Sequence, residues 1–211
     1  MTSTPSNPQP IQIHIPPTLT HLSIPLSTFI SAHPQYTNFA VGTFIFTPAK
    51  NNNRKLLLIQ RASTERGFPS KWEIPGGSTE PTDPTLLHSA ARKTFEETGL
   101  HLTKVVRQVG DQGVEFITGG GTKRWLKLSF EIEVEEFEGL DGERVEERVQ
   151  VRLDPEEHQA FVWGSEEDVS MGKYDITTGE QKELILRAFE MTRRGDKGNF
   201  TRDIVGNAAA S

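Results

Sequence analysis

Two adjacent carboxylates, Glu96 and Glu97, stand near the end of the stretch Trp72–Leu100, which reads WEIPGGSTEPTDPTLLHSAARKTFEETGL. Hard divalent cations such as magnesium take carboxylate and backbone carbonyl oxygens. A glycine bend at Gly76-Gly77 lets the backbone approach a ligand closely and offers such carbonyls. A second account needs no metal. Lys93–Glu97 and Arg92–Glu96 are spaced i,i+4 and Lys93–Glu96 i,i+3, as on a salt-bridged helix surface. Against it, acids in a last helical turn face the negative end of the helix dipole, a conflict that a bound cation removes. Spacing alone leaves both accounts open.

The neighbouring residues predict how these groups are held. Trp72–Pro75 ends a strand, because Pro75 has no N–H to offer a ladder. After the Gly76-Gly77 turn, Asp83 is the expected helix N-cap, with Pro84 at the first helical position. From Pro84 to Thr98, Leu87, Ala90, Ala91, Thr94, Phe95 and Thr98 recur at helical steps and form one buried stripe. Arg92, Lys93, Glu96 and Glu97 lie off that stripe, on a solvent-side edge. Gly99 stops the helix, and Leu100 folds back as an apolar contact.

Elsewhere, Phe39–Thr47 and Lys55–Arg61 read as strands around a turn. Arg61, Arg66 and Lys71, in and beside the loop Ala62–Lys71, offer positive charge. Val114–Thr118 and Lys123–Glu135 are the arms of a hairpin across Gly119–Gly121. Alternation in the second arm puts Glu131, Glu133 and Glu135 on one face and Ile132 and Val134 on the other. Val149–Leu153 and Phe161–Trp163 read as later strands, and Phe68, Trp125 and Trp163 as core. Glu180–Arg193 is a second amphipathic helix, with a capping box at Thr178 and Gln181 and a stripe of Leu184, Ile185, Ala188 and Phe189. Near the start, Ile11, Ile13 and Ile15 suggest a short edge strand, and Ser27 a cap for a brief helix through Ala32. The expectation is one α/β domain, a mixed curved sheet between two principal helices. Residues 1–37 form a tail and lead-in, 38–194 the domain, and 195–211 a flexible tail.

Composition narrows the function classes. The 211 residues carry 23 basic and 29 acidic side chains, a formal charge of −6, which argues against general nucleic-acid binding. The absence of cysteine excludes disulfides, thiolate chemistry and cysteine-ligated zinc. The histidines show no metal-ligand spacing. No apolar run approaches the roughly 20 residues that span a bilayer, and no secretion signal opens the chain, so a cytoplasmic protein without a membrane partner is expected.

The central stretch resembles the signature box of the Nudix hydrolase family. That box runs Gly, five residues, Glu, seven residues, Arg-Glu, an apolar residue, any residue, Glu-Glu, any residue, Gly and an apolar residue. Gly77 meets its opening glycine and Arg92 its arginine. Thr94 takes the usually apolar place, and Glu96-Glu97, Gly99 and Leu100 match the end. Trp72–Gly76 fits the approach to the box, and Glu156-Glu157-His158 followed by Phe161-Val162-Trp163 resembles a later segment common in these domains. The resemblance covers roughly 38–193. It implies an α/β/α sandwich and Mg²⁺ or Mn²⁺ on the Gly76 carbonyl, Glu96 and Glu97; Glu133 or Glu131 is either an additional ligand or part of a solvated strand face. It also implies hydrolysis of a small-molecule diphosphate by a metal-activated water. Arg92 then orients Glu96 or a neighbouring carboxylate. Family members often dimerise, so a monomer or homodimer is expected.

Three departures qualify this. Asp83 stands where the first glutamate of the box falls when counted from Gly77, and eight residues rather than seven separate it from Arg92. Lys93 stands at the glutamate after the arginine, which in the family joins the later pair on the metals and can act as base. A protonated amine cannot ligate metal, and it repels cations held by Glu96 and Glu97. A replacement base would come from Glu115, Glu131, Glu133 or the Glu143–Glu147 loop, and Glu80 could point towards the metal region. Three readings follow. One is a metal-dependent diphosphate hydrolase, another a catalytically weak or inactive Nudix-fold protein that binds a phosphate-containing ligand, and the third the same fold with redirected chemistry.

Overall fold

The computed structural model describes residues 12–48, 53–140 and 144–205, the last eleven of these through their backbone only. In chain order the elements are α1 (Leu26–Ala32), β1 (Asn38–Ile45), β2 (Leu56–Arg61), β3 (Trp72–Glu73), β4 (Gly76–Ser78) and α2 (Leu86–Thr98). β5 (Leu102–Thr118), β6 (Lys123–Val134), β7 (His158–Gly164), α3 (Glu166–Ser170) and α4 (Gly179–Val205) complete the fold. One sheet runs β4-β1-β6-β5 and the other β3-β2-β7. β1 and β6 are parallel, and every other strand pair is antiparallel.

Strand alternation sends neighbouring side chains to opposite faces, and here both faces are covered. Val41 and Ile45 of β1 pack with Leu87, Ala90 and Ala91 of α2. Phe44 and the following Phe46 pack with Ile185, Ala188 and Phe189 of α4. The mixed sheet with flanking helices is thus as the periodicity predicts. Gly99 ends α2 with φ 70°, the left-handed conformation that glycine adopts without strain. Leu100 beyond it is fully buried. No helix among the described residues is long and apolar enough to cross a membrane.

Several local expectations are corrected. Gly76-Gly77 is not a free turn but strand β4, laid antiparallel on β1. A Cβ on Gly76 would sit 2.2 Å from the Val41 carbonyl oxygen, so the close strand approach requires glycine. Thr85, not Asp83, caps α2 by accepting from the His88 N–H. Asp83 is instead drawn into a polar network described below. Within α2, Glu97 is buried and Phe95 is 49% exposed, the reverse of the expected stripe. Phe95 packs on the His101 ring instead. Phe68, expected in the core, is also largely exposed.

Residues 149–153 form no strand; Val149 packs in the core and the Arg152 N–H bonds the Thr98 carbonyl at the end of α2. Glu131 does not lie on a solvated face, because Arg107 pairs with it and itself donates to the Met191 carbonyl of α4. Gln181 bonds Thr178 through its backbone N–H, while its side chain turns to Thr177. α3, unexpected, opens with a capping box of Ser165 and Asp168. α4 continues past Arg193 to Val205.

The lead-in is structured as well. A 3-10 turn, Pro17–Leu22, and α1 carry Leu19, Leu22, Leu26 and Phe29 into the core. Ser27 lies inside α1, which Pro25 leads. The expected edge strand reduces to a bridge in which the His14 N–H bonds Thr103 and the His14 carbonyl accepts from Val105. Ile11 and residues 206–211 lie outside the described residues.

Candidate functional site

The site forms where the last turns of α2 pass β4. A hydroxyl pair, Thr43 and Thr94 at 3.1 Å, ties α2 to β1. One turn on, Glu97 meets the β4 backbone, and its Oε2 accepts the Gly76 N–H at 2.8 Å. Its Oε1 lies 3.0 Å from the Lys93 Nζ, which also stands 3.2 Å from Glu96 and 3.9 Å from Glu157. Lys93 reaches this position because Gly77 has no side chain; a Cβ there would lie 2.6 Å from the Lys93 Cε. The Lys93 side chain is only 13% exposed. Burial pulls its pKa down, but Glu97, Glu157 and Glu96 outweigh that and hold the ammonium above its ordinary value. Burial pushes the Glu97 carboxyl up, opposed by Lys93, the Gly76 N–H and His158.

A second network supports the first. Arg92 grips Asp83 through Nε at 2.8 Å and Nη2 at 2.9 Å, and reaches Glu96 through Nη1 at 3.0 Å. Asp83 also accepts from the Ser89 hydroxyl and the Glu80 N–H, each at 2.7 Å. Asp83 sits before the helix rather than at its cap, so one additional residue before Arg92 is absorbed in the loop. Arg92 therefore touches Glu96 while anchored from behind by Asp83.

The remaining candidates are dispersed. Glu133 is exposed and pairs with Lys104 at 2.8 Å, while Glu131 pairs with Arg107 at 2.8 Å. Glu115 accepts from the Tyr36 hydroxyl at 2.5 Å, and Glu146 pairs with Lys55 at 2.5 Å. Glu147 is near Arg144, and Glu80 lies 3.4 Å from Arg92. Glu143 lies outside the described residues. Arg61 is held by Glu65 and Glu73, and Lys71 by Asp175.

Among the described residues, no group of three or more His, Asp or Glu side chains is arranged to hold a metal ion. At the corner itself a cationic side chain already lies between the two carboxylates. The donor set as arranged does not fit a divalent ion.

Sequence reasoning missed a feature beside the corner. A cavity of about 370 Å³ is lined by Glu73, Ile74, Phe116, Lys127, Ser129 and Leu184 among others. Its signal was the alternation of a lysine and a serine through the otherwise apolar Trp125–Phe130. Sequence also singled out Glu157 and His158 only as parts of a familiar segment. Glu157 faces Lys93, and the His158 ring lies 3.4 Å from Glu73.

Comparison with known proteins bears on the fold and the family. A stretch of 51 residues is 51% identical to the m7GpppN-mRNA hydrolase NUDT17 of Danio rerio, a match covering 24% of this chain and 17% of that protein. Among solved structures, a MutT protein from Methanosarcina mazei Go1 superposes with TM-score 0.53 at 24% identity, over 76% of this chain and 95% of that one. The NUDIX domain of Shewanella oneidensis NrtR, complexed with ADP ribose, superposes with TM-score 0.54 at 18% identity, over 73% and 87%. The C. elegans Ap4A hydrolase gives TM-score 0.52 at 22% identity, over 75% and 99%. These structural likenesses establish the fold. The sequence pattern of the NUDIX domain matches residues 38–187, and the chain belongs to the NUDIX domain family.

Proposed function

We propose that this protein binds a phosphate-containing ligand on a NUDIX scaffold and turns diphosphates over weakly or not at all. One observation carries the reading: the Lys93 ammonium lies between Glu96 and Glu97, where a cation would sit. An ammonium offsets carboxylate charge but provides no open coordination site and does not acidify a bound water. A divalent ion would have to displace it or stand beside it. Two unit charges 4 Å apart repel by about 4 kcal/mol at an effective dielectric of 20, and a doubly charged ion feels more.

The hydrolase reading needs a base from elsewhere. Of the candidate carboxylates, Glu115, Glu131, Glu133 and Glu146 are engaged by Tyr36, Arg107, Lys104 and Lys55 in turn. NrtR supplies a precedent for a NUDIX domain seen with ADP ribose. The test is calorimetry with pyrophosphate and ADP ribose, together with Mn²⁺ binding followed by electron paramagnetic resonance. Wild type should bind a phosphate ligand without metal, show no Mn²⁺ site, and release phosphate slowly or not at all. Lys93→Glu should gain Mn²⁺ binding. Mg²⁺-dependent turnover by wild type that disappears in Glu96→Gln and Glu97→Gln would overturn the proposal.

A further inference from the structure

A second cavity lies on the opposite face of the β5–β6 pair, and a break in β5 shapes it. Side chains alternate across a strand, so Lys127 and Ser129 line the cavity beside the corner while Leu126 and Leu128 line this one. Val109 of β5 opposes Ser129, and a regular ladder would then set Asp111 against Lys127. Val114 takes that place instead, three residues later. Such an odd slip exchanges the faces of every residue beyond it. Glu115 is thereby turned to the side of Leu126, and Val114 to the side of Lys127. Gly110 and Gly113 bound the bulge with φ 85° and 78°, and a Cβ on Gly113 would lie 2.7 Å from the Lys127 carbonyl oxygen. The Gln108 Nε2 donates to the Gly110 carbonyl at 2.9 Å, and Arg187 of α4 holds Asp111 at 3.0 Å. A bulge braced in this way re-aims a side chain to a fixed place.

The cavity measures about 370 Å³, and small-molecule sites span roughly 300–1,000 Å³. Its other wall comes from the lead-in. Phe29 and His33 stand one turn apart with ring centroids 4.3 Å from each other, and Tyr36 follows. The His33 Nδ1 lies 2.8 Å from the Phe29 carbonyl. A carbonyl only accepts, so Nδ1 carries the proton and Nε2 of the neutral ring is left as an acceptor. The Tyr36 hydroxyl gives its proton to the Glu115 Oε1 at 2.5 Å. The Gln108 amide nitrogen is spent on the bulge, which leaves its Oε1. Three acceptors on this cavity, the His33 Nε2, the Gln108 Oε1 and the Glu115 Oε2, therefore have no donor among the described residues. Of the two acids in the wall, Asp111 is answered by Arg187, and Glu115 is in no ion pair among the described residues. Arg124, on the same face towards the hairpin tip, is not part of the wall. Aromatic faces beside a carboxylate attract a cation, and hydrogen bonds from a cation to a carboxylate are the strong ones.

We infer that this cavity binds a small organic cation whose N–H groups donate to Glu115, Gln108 and His33 while its hydrocarbon part lies on Phe29, Tyr36 and Leu126. A primary ammonium and a guanidinium share that chemistry. The inference goes beyond the proposed function and does not rest on it. The Glu96–Glu97 corner supplies none of these residues, so failure here leaves the phosphate-ligand reading standing, and failure there leaves this cavity as it is.

The probes are 2-phenylethylamine, 2-phenylethylguanidine, neutral 2-phenylethanol, the trimethylammonium analogue and 3-phenylpropionate. Each is titrated at neutral pH into the full chain while the leucine methyl resonances are followed by NMR. The amine or the guanidine should shift the Leu126 and Leu128 methyls saturably and bind about tenfold or more tighter than the alcohol. The tighter of the two identifies the head group. The trimethylammonium analogue, which has charge but no N–H, should bind severalfold more weakly than the amine. Glu115 is exposed, so Glu115→Gln should melt like wild type; it should erase the advantage of the amine while leaving the alcohol within about twofold. If that variant melts early, salt on wild type replaces it: added salt should weaken the amine and not the alcohol. The inference is overturned by an alcohol or a carboxylate bound as tightly as both cations, or by amine affinity unchanged in Glu115→Gln or indifferent to salt. Shifts at Leu184 in place of Leu126 and Leu128, or no saturable shift with any probe, would overturn it equally.

Discussion

Asp83 illustrates how one side chain takes on a role that its position in the sequence does not suggest. Arg92 meets it side-on through two nitrogens, and it accepts two further hydrogen bonds. Burial pushes its carboxyl up, but Arg92, the Glu80 N–H and Ser89 outweigh burial and hold it below the ordinary range. A carboxylate whose folded pKa is depressed contributes stability that is full above its unfolded value, about 3.9, and lost as pH falls through the folded value. Asp83→Asn should therefore cost about 1–3 kcal/mol at neutral pH, because Arg92 loses the charge it faces. The gap to wild type should narrow as pH drops below about 4. Urea unfolding of both proteins at three pH values checks this, and a gap independent of pH would show that the charge of Asp83 carries no stability. Arg92 should also hold Glu96 less firmly in the variant, so the order of the corner and the order of the loop before α2 are linked through one guanidinium.

At the scale of elements, β4 and α2 meet at two glycines with different tasks. Gly76 faces backbone at 2.2 Å, whereas Gly77 faces the far end of the flexible Lys93 chain at 2.6 Å. A Cβ at Gly76 must move strand β1 and accept a strained φ of 153°, so Gly76→Ala should cost about 3 kcal/mol or more. Gly77→Ala only has to push Lys93 aside and should cost about 1 kcal/mol. Thermal melts of the two variants give the ranking, and equal losses would mean that β4 is not clamped to β1 as described.

The same contact explains what sequence could and could not disclose. Leu87, Ala90, Ala91, Thr94 and Thr98 fix the buried side of α2 by spacing alone. Phe95 and Glu97 flank that side symmetrically, and hydropathy chooses Phe95. The Gly76 N–H and the Lys93 ammonium, both near in space, choose Glu97 instead. The replacement at Lys93 was legible because it breaks a dense motif; where its ammonium points was not. Lys127 was harder still, since a lysine in a strand reads as solvated until the elements that cover that face are placed.

For the whole molecule, the question is where the folding unit begins. The NUDIX sequence pattern starts at residue 38, yet the core does not respect that boundary. Leu19, Leu22, Leu26 and Phe29 belong to the same apolar cluster as Phe39, Val105, Leu126 and Leu128. The Phe29 and Phe39 rings meet edge to face at 5.6 Å across the junction. β6 is buried on this face because the lead-in covers it, much as α4 covers the other. Truncating Phe29 leaves a cavity between α1 and β1, and Phe→Ala changes in such cores cost about 3–5 kcal/mol. For a domain of this size that corresponds to a fall in melting temperature of roughly 10 °C. Phe29→Ala should show that fall. Deleting residues 1–37 should do worse, exposing Phe39, Leu126 and Leu128 together and driving self-association visible in light scattering. If the deletion melted like wild type and stayed monomeric, the lead-in would be an ornament on a self-sufficient domain. Its packing against β5 and β6, the strands that carry Lys127 and Ser129, makes the opposite outcome the expected one.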